Sequence, residues 1–240
     1  MRKKLIACLL SLALLLSLVG CSQPTDVRGD ITPNPTTDAT TEATTEVTTE
    51  ATTEATTEAT TLPEFSIGSS TGNTYKNEFI GIQCTLDSNW VFKTDAEMQA
   101  INQTTAGLVG DDYKEMITSA AVVQDMMATH TNQMDTVGVV LEKLSGATVL
   151  ITEEQYMDMA KDPAVNALAS MGITITSAEV VKVQFAGEEH VSLVIAGDVA
   201  GLPLYEQMVI IKCNGYIACV TACTWYENTC QSILNQFQPC

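Results

Sequence analysis

The apolar positions of this chain fall into three regimes. From Leu5 to Val19 they run almost without interruption, from Ser22 to about Asn73 they are sparse and without period, and from Thr74 onward they recur every two or every three to four residues. Only the last regime has the periodicity of strands and helices that bury one side. Within it, Ile80, Ile82, Cys84 and Leu86 alternate with Gly81, Gln83 and Thr85, which predicts a half-buried strand. Asp87-Ser88-Asn89 then turns the chain into a second short strand, Trp90-Val91-Phe92. Thr94-Asp95-Ala96-Glu97 is a capping box, in which the Thr hydroxyl and the Glu carboxylate each satisfy a backbone N–H at a helix start, so a helix is predicted over 95–105. A second helix, 111–119, follows the break between Gly107 and Gly110.

Two strands, 120–128 and 136–144, are separated by the polar turn His130-Thr131-Asn132-Gln133. A second capping box, Thr152-Glu153-Glu154-Gln155, opens a helix in which Tyr156, Met159, Ala160, Leu168 and Met171 share a buried stripe and which Pro163 kinks or splits. After Gly172 the pattern is a meander of four strands, 173–185, 191–199, 204–213 and 216–225, closed by a helix over 227–237 that places Cys230, Ile233, Leu234 and Phe237 on one side.

Asn214-Gly215 is the strongest turn signal, since Asn and Gly supply both positive φ angles of a type I′ turn. A two-residue turn there sets Cys213 opposite Tyr216 and Ile211 opposite Ala218 on one face, and Ile210 opposite Cys219 on the other. Both faces are apolar, so both need cover. The predicted fold class is therefore α+β: an antiparallel sheet with helices packed on both faces. Residues 74–240 are enough for one core of this kind, burying roughly 70% of the unfolded chain's surface.

The first regime is an address. Arg2, Lys3 and Lys4 precede an apolar run from Leu5 to Val19, and small Gly20 follows. Fifteen residues are too few to cross a bilayer core as a helix, which takes roughly 20. Leu18-Val19-Gly20-Cys21 resembles the bacterial lipobox, which implies cleavage before Cys21 after its thiol has been acylated, with Cys21 as the first mature residue. At about 0.8 kcal/mol per buried methylene, two or three acyl chains such as palmitate anchor a protein durably. The expected partner through Cys21 is the membrane, on its extracytoplasmic face. Ordinary secretion, with Cys21 an incidental residue near the cut, is the alternative.

The middle regime is a spacer, residues 21–73. Its centre repeats Thr-Thr-Glu-Ala or Thr-Thr-Glu-Val from Thr40 to Ala59 and is flanked by Pro24, Pro33, Pro35 and Pro63. A helix would stack Glu42, Glu46, Glu50, Glu54 and Glu58 on one face, where like charges repel, and Thr is a poor helix former. A disordered Thr/Glu-rich linker is expected, with a reach of roughly 40 Å or more. Its composition also suits O-glycosylation, which the residues do not decide.

Charge narrows the ligands. Residues 1–21 carry +3, residues 22–73 carry one Arg against nine acids, and residues 74–240 carry seven Lys against twenty acids, a balance of −13 in the domain. Such a domain repels nucleic acid and anionic lipid head groups.

Chemical motifs are few. Gly68-Ser69-Ser70-Thr71-Gly72 satisfies the G-x-S-x-G nucleophile pattern, but Pro63 and Glu64 interrupt the residues before it and no helix is predicted after it, so it is read as spacer. Without Cys8 and Cys21, six cysteines remain: Cys84, Cys213, Cys219, Cys223, Cys230 and Cys240. They allow fifteen complete pairings, and an exported protein forms disulfides readily. Cys219 and Cys223 lie about 13 Å apart on one strand and cannot pair with each other. Most are read as buried thiols, with a disulfide left open. The two histidines, His130 and His190, sit in or beside predicted turns and no C-x-x-C occurs, so neither a metal site nor a redox site is expected. Glu188-Glu189-His190 is read as a solvated hairpin tip rather than a ligand trio. No catalytic residue and no cofactor is assigned.

The run Tyr75-Lys76-Asn77-Glu78-Phe79-Ile80-Gly81-Ile82 leading into Leu86-Asp87-Ser88-Asn89-Trp90, the strand at Asp125-Met126-Met127-Ala128, the meander and the closing Tyr226 to Phe237 segment resemble, in that order, bacterial lipoproteins with a PsbP-like or DcrB-like domain. The resemblance covers roughly residues 74–240 and implies an α-β-α sandwich with a mostly non-enzymatic accessory or binding role. It brings no catalytic residue to this chain, and the cysteines depart from it.

Three function classes follow. A surface-tethered binding or assembly module, for an envelope protein or a small-molecule ligand, fits the spacer and the missing catalytic motifs best. An extracytoplasmic hydrolase whose carboxylates meet only in the fold is the alternative, and a purely structural envelope protein is the third.

Overall fold

In the computed structural model the described residues are 64–101 and 122–240. The leader, Cys21, the spacer to residue 63 and the predicted helix 111–119 lie outside them. The described strands are β1 (Ser69–Thr71), β2 (Thr74–Asn77), β3 (Ile82–Thr85), β4 (Trp90–Phe92), β5 (Val122–His130), β6 (Thr136–Lys143), β7 (Thr174–Phe185), β8 (Glu188–Val199), β9 (Leu202–Cys213), β10 (Tyr216–Trp225) and β11 (Phe237–Pro239). Helix α1 spans residues 95–101 in its described part, α2 is Glu153–Ser170 and α3 is Cys230–Leu234. Seven strands form one sheet in the order β4-β5-β6-β10-β9-β8-β7, and four form a smaller one, β1-β2-β3-β11. Both are antiparallel throughout.

The meander is regular because of its turns. Ala186-Gly187, Ala200-Gly201 and Asn214-Gly215 all have positive φ, and each joins strands with only two residues. Such turns match the right-handed twist of the strands they connect. The β9–β10 register is the predicted one, with Cys213 opposite Tyr216, Ile211 opposite Ala218 and Ile210 opposite Cys219. At β7–β8 the structure differs from the pattern. Ala186 takes φ +47, the turn is over by Gly187, and Glu188 and Glu189 belong to the strand rather than to a loop.

Each face of the large sheet is covered, as its apolar residues require. On one face, the helix face, α2 seats Tyr156, Met157, Ala160, Ala164 and Leu168 against Val191, Leu193, Ile195, Leu204 and Met208. Thr152 and Gln155 form the predicted capping box. Steps of four run from Tyr156 through Ala160 and Ala164 to Leu168, with Met157 three before Ala160, whereas Met159 and Met171 are 43% and 42% exposed, so the predicted stripe is corrected at those two positions. Pro163 does not split α2; it stands on the solvent side, where water can satisfy the carbonyl its missing N–H would have met.

The opposite face is shared by α3 and the small sheet. Tyr75, Ile82, Cys84, Leu86, Ile233, Leu234 and Phe237 pack there on Val137, Val139, Leu141, Val209, Ala218 and Val220. Every fully buried aliphatic side chain among them contributes about 1.5–3 kcal/mol. The closing segment is shorter in helix than its pattern predicts. Cys230, Ile233, Leu234 and Phe237 are buried as expected, but Phe237 lies in β11, paired with Cys84 of β3.

The small sheet also draws in residues that the pattern leaves to the spacer. Phe65 stacks on Tyr216 with ring centroids 4.7 Å apart and meets Phe79 edge-on at 5.3 Å, and Ser69–Thr71 pairs with Thr74–Lys76. A three-residue edge strand and one aromatic ring are too short for periodicity to reveal.

Candidate functional site

Ionisable groups gather at three places in the described structure. At the start of α2, Glu153 accepts hydrogen bonds from the backbone N–H of Lys212 at 2.8 Å and lies 3.2 Å from His190 Nδ1. Lys212 Nζ donates to the Ile151 carbonyl at 2.7 Å. The Glu153 hydrogen bond raises the His190 pKa above its ordinary value, against the lowering effect of burial. Of the run Glu188-Glu189-His190, the two carboxylates are exposed, with Glu189 paired to Lys182 at 2.9 Å, while His190 turns inward as strand alternation requires. The trio therefore does not converge, and His190 is buried against Glu153 rather than part of a solvated tip. His130 packs edge-on to Trp90, with centroids 5.2 Å apart, at the end of β5.

The second place is a β-bulge. The β5–β6 register shifts between Gln124 and Met126, and the extra residue, Asp125, reaches the small sheet. Its carboxylate accepts from Gly68 N at 2.6 Å, from Asn77 Nδ2 at 2.7 Å and from the Tyr75 hydroxyl. Burial, reinforced by the Asp125 charge, pushes the Tyr75 phenol far above its usual range. Gly68 is needed here because a Cβ would stand 2.5 Å from Tyr75 Cε2. Ser70 of the G-x-S-x-G run lies in the exposed strand β1, away from any helix start.

The third place is the helix face of the large sheet, which holds two buried carboxyls. Glu142 accepts a 2.7 Å bond from the Tyr156 hydroxyl. Glu206 is 1% exposed with neither oxygen bonded, and burial raises its pKa well above the carboxylate range. In register, Glu142 stands opposite Ile217 and Glu206 opposite Cys223. Six residues of β10 therefore separate them by about 20 Å, too far for the paired-carboxylate chemistry of a glycosidase, which needs roughly 5–9.5 Å. Glu206 lies on the helix face of β9 between Leu204 and Met208. The only sequence signal for it is a charged residue at a position whose neighbours two away, Leu204 and Met208, are core.

Cys84, Cys213, Cys223, Cys230 and Cys240 are free thiols. Burial pushes Cys84 and Cys230 up to about 12 and Cys213 to about 11, which makes them packing residues rather than nucleophiles. Among the described residues no group of three His, Cys, Asp or Glu side chains is placed to hold a metal ion, and no described helix is long and apolar enough to cross a membrane. The predicted lipidation site, Cys21, lies outside the described residues.

No family model and no curated protein matches the chain. Solved structures similar to it include LpqN, a protein involved in cell envelope biogenesis of Mycobacterium tuberculosis, with 12% identity and a TM-score of 0.38 over 65% of this chain and 82% of that one. They also include the cyanobacterial PsbP, CyanoP, of Synechocystis, with 10% identity and a TM-score of 0.41 over 70% of this chain and 91% of that one.

Proposed function

We propose that this chain is an extracytoplasmic lipoprotein, anchored to the cell membrane through acyl chains on Cys21, that displays a PsbP-like, non-catalytic binding or assembly-accessory domain on a Thr/Glu-rich stalk. The observation that carries the reading is Leu18-Val19-Gly20-Cys21 directly after a basic start and a fifteen-residue apolar run. A thiol in that place is the acyl acceptor, and two or three acyl chains hold a protein at the bilayer. The binding half of the reading is supported by how the domain uses its ionisable groups. Glu153, His190 and Lys212 tie α2 to the sheet, Asp125 ties the two sheets together, and Glu142 bonds Tyr156. The Cys21→Ser chain is expected in the soluble extracytoplasmic fraction and the parent in the membrane pellet; a mutant that pellets as fully as the parent overturns the anchor. Crosslinking on intact cells, compared with a strain carrying only anchor and spacer, is expected to enrich a domain-dependent partner. Turnover in a broad hydrolase screen, abolished by changing one acidic residue, His130 or His190, overturns the binding reading in favour of an enzyme.

A further inference from the structure

The two sheets end in four edge strands, and three of these, β1, β4 and β11, are only three residues long, β11 with Pro239 in it. Edges that short are an ordinary defence against pairing with another chain. The fourth is different. Strand β7 runs for twelve residues, and among the described residues it has β8 on one side and no strand on the other. Neither Pro nor Gly interrupts it. Its one register shift lies between Ile175 and Ser177, so Ser177–Phe185 pairs regularly with β8. Along that stretch alternate backbone N–H and C=O groups face away from β8, toward the open edge.

The strand is open on both faces. Val180 and Lys182 stand opposite Leu193 and Val191 on the helix face and Glu179 lies on the other, and all three are exposed. A lysine on an edge strand commonly guards it, but Lys182 Nζ is drawn to Glu189 at 2.9 Å and to Glu154 of α2 at 4.0 Å. What remains along the middle of the edge is Ala178, Val180, Val181 and Val183, of which the three valines favour strand pairing. The chemistry of an occupant follows. A row of main-chain donors and acceptors selects an extended backbone, which adds to the sheet as a further strand. Glu179, Glu154, Glu188 and Glu189 outnumber Lys182 around the edge, so a basic segment is preferred to an acidic one. A second copy of the chain fits badly. Antiparallel pairing centred on Val180 or on Val181 sets Glu179 or Lys182 diagonally across from its own counterpart, and it joins two domains that each carry seven Lys against twenty acids.

We propose that the free edge of β7, over Ser177–Phe185, is an interaction surface that takes up an extended, basic segment of a partner protein as an added strand of the large sheet. The proposal rests on the reading of the domain as a binding module and names the surface and the chemistry of the partner. The test follows backbone amide hydrogen exchange in the secreted Cys21→Ser chain. Three synthetic peptides serve as probes: Lys-Val-Thr-Val-Lys-Val-Thr-Lys, its counterpart with Glu for every Lys, and the basic peptide N-methylated throughout, which cannot donate main-chain hydrogen bonds. Outward-facing amides of Ser177–Phe185 are expected to exchange fast in the free chain and to slow by about tenfold or more at saturation with the basic peptide, while amides of the exposed strand β1 stay unchanged. The acidic peptide should bind about tenfold more weakly, and the N-methylated one should give no slowing. Val180→Lys and Glu179→Lys, both at exposed positions, should each weaken the basic peptide by about threefold or more. No slowing with the basic peptide, equal slowing by the N-methylated one, or an unchanged affinity in both variants overturns the surface. Slowing that grows with protein concentration in the absence of peptide gives the edge to a second copy and overturns the partner. A domain-dependent partner crosslinked on cells equally by the parent and by Val180→Lys overturns the edge and leaves the binding reading standing.

Discussion

Ala200 shows how much a single backbone angle matters in this fold. It sits exposed at φ +53 as the first residue of the β8–β9 turn, a conformation that costs an L residue about 1–2 kcal/mol and that Asn tolerates better. Ala200→Asn copies the Asn214-Gly215 turn and is expected to stabilise the domain by about 1 kcal/mol, raising Tm by about 2–4 °C. A thermal melt decides it, and an unchanged or lowered Tm would mean the turn holds no such strain. The same residue explains a limit of sequence pattern. Asn214-Gly215 announces its turn because both residues favour positive φ, and its register is predictable residue by residue. Ala186-Gly187 and Ala200-Gly201 make the same turn, but Ala carries no turn preference, so the flanking strands look shorter in sequence than they are. Gly68 is hidden in another way. Its role depends on the closeness of Tyr75 and Lys76, and Gly68→Ala, which places a Cβ 2.5 Å from Tyr75 Cε2 and 2.9 Å from the Lys76 carbonyl, is expected to destabilise by about 1–3 kcal/mol in denaturant unfolding.

At the level of elements, local signals were legible wherever the chain satisfies itself locally. Both capping boxes form: Thr94 with Glu97 at 2.8 and 3.3 Å, and Thr152 with Gln155 at 3.0 and 3.2 Å. The end of the chain was less legible, because Phe237 obeys helical spacing from Cys230, Ile233 and Leu234 yet finds a better partner in β3. What anchors α2 to the sheet also lies beyond local pattern, since Glu153 meets His190 across 37 positions and Lys212 across 59. This anchor is pH-dependent. The Glu153 hydrogen bond raises the His190 pKa in the folded state, so the fold holds that proton more tightly than the unfolded chain does. The resulting stabilisation is complete below the unfolded value of about 6.5 and is lost as pH rises through the higher folded value. Glu153→Gln removes the charge while leaving an acceptor for Lys212 N. Wild type is expected to exceed this variant by about 1 kcal/mol at acid pH and by less at pH 8. A difference that does not change with pH would show that His190 stays neutral throughout.

For the molecule as a whole, Asp125 decides whether the two sheets act as one body. The β5–β6 register shifts between Gln124 and Met126, so Asp125 is added to β5 while Met126 keeps its place opposite Val139 in the core between the sheets. With the bulge, one carboxylate gathers Gly68 N, the Tyr75 hydroxyl and Asn77 Nδ2, while Asn77 Oδ1 accepts from Phe79 N at 2.8 Å and Ile80 N at 3.2 Å. The start of the small sheet is thus hydrogen-bonded through a single residue of β5, and the apolar contacts of Tyr75, Phe79 and Ile80 are aligned around it. No periodicity exposes this, because a bulged residue is by definition out of phase with its strand. Asp125→Ala strands three donors, two of them on buried side chains, and is expected to cost about 3–5 kcal/mol, whereas Tyr75→Phe removes one donor and leaves two, costing about 1–2 kcal/mol. Hydrogen exchange separates a local from a global effect. If the clip holds one sheet to the other, Asp125→Ala should speed exchange of the amides in β1, β2 and β3 far more than those of β8, β9 and β10, whose ladders and α2 cover are untouched. Equal acceleration in both sheets would mean that they unfold as a single cooperative unit and that Asp125 contributes to global stability alone.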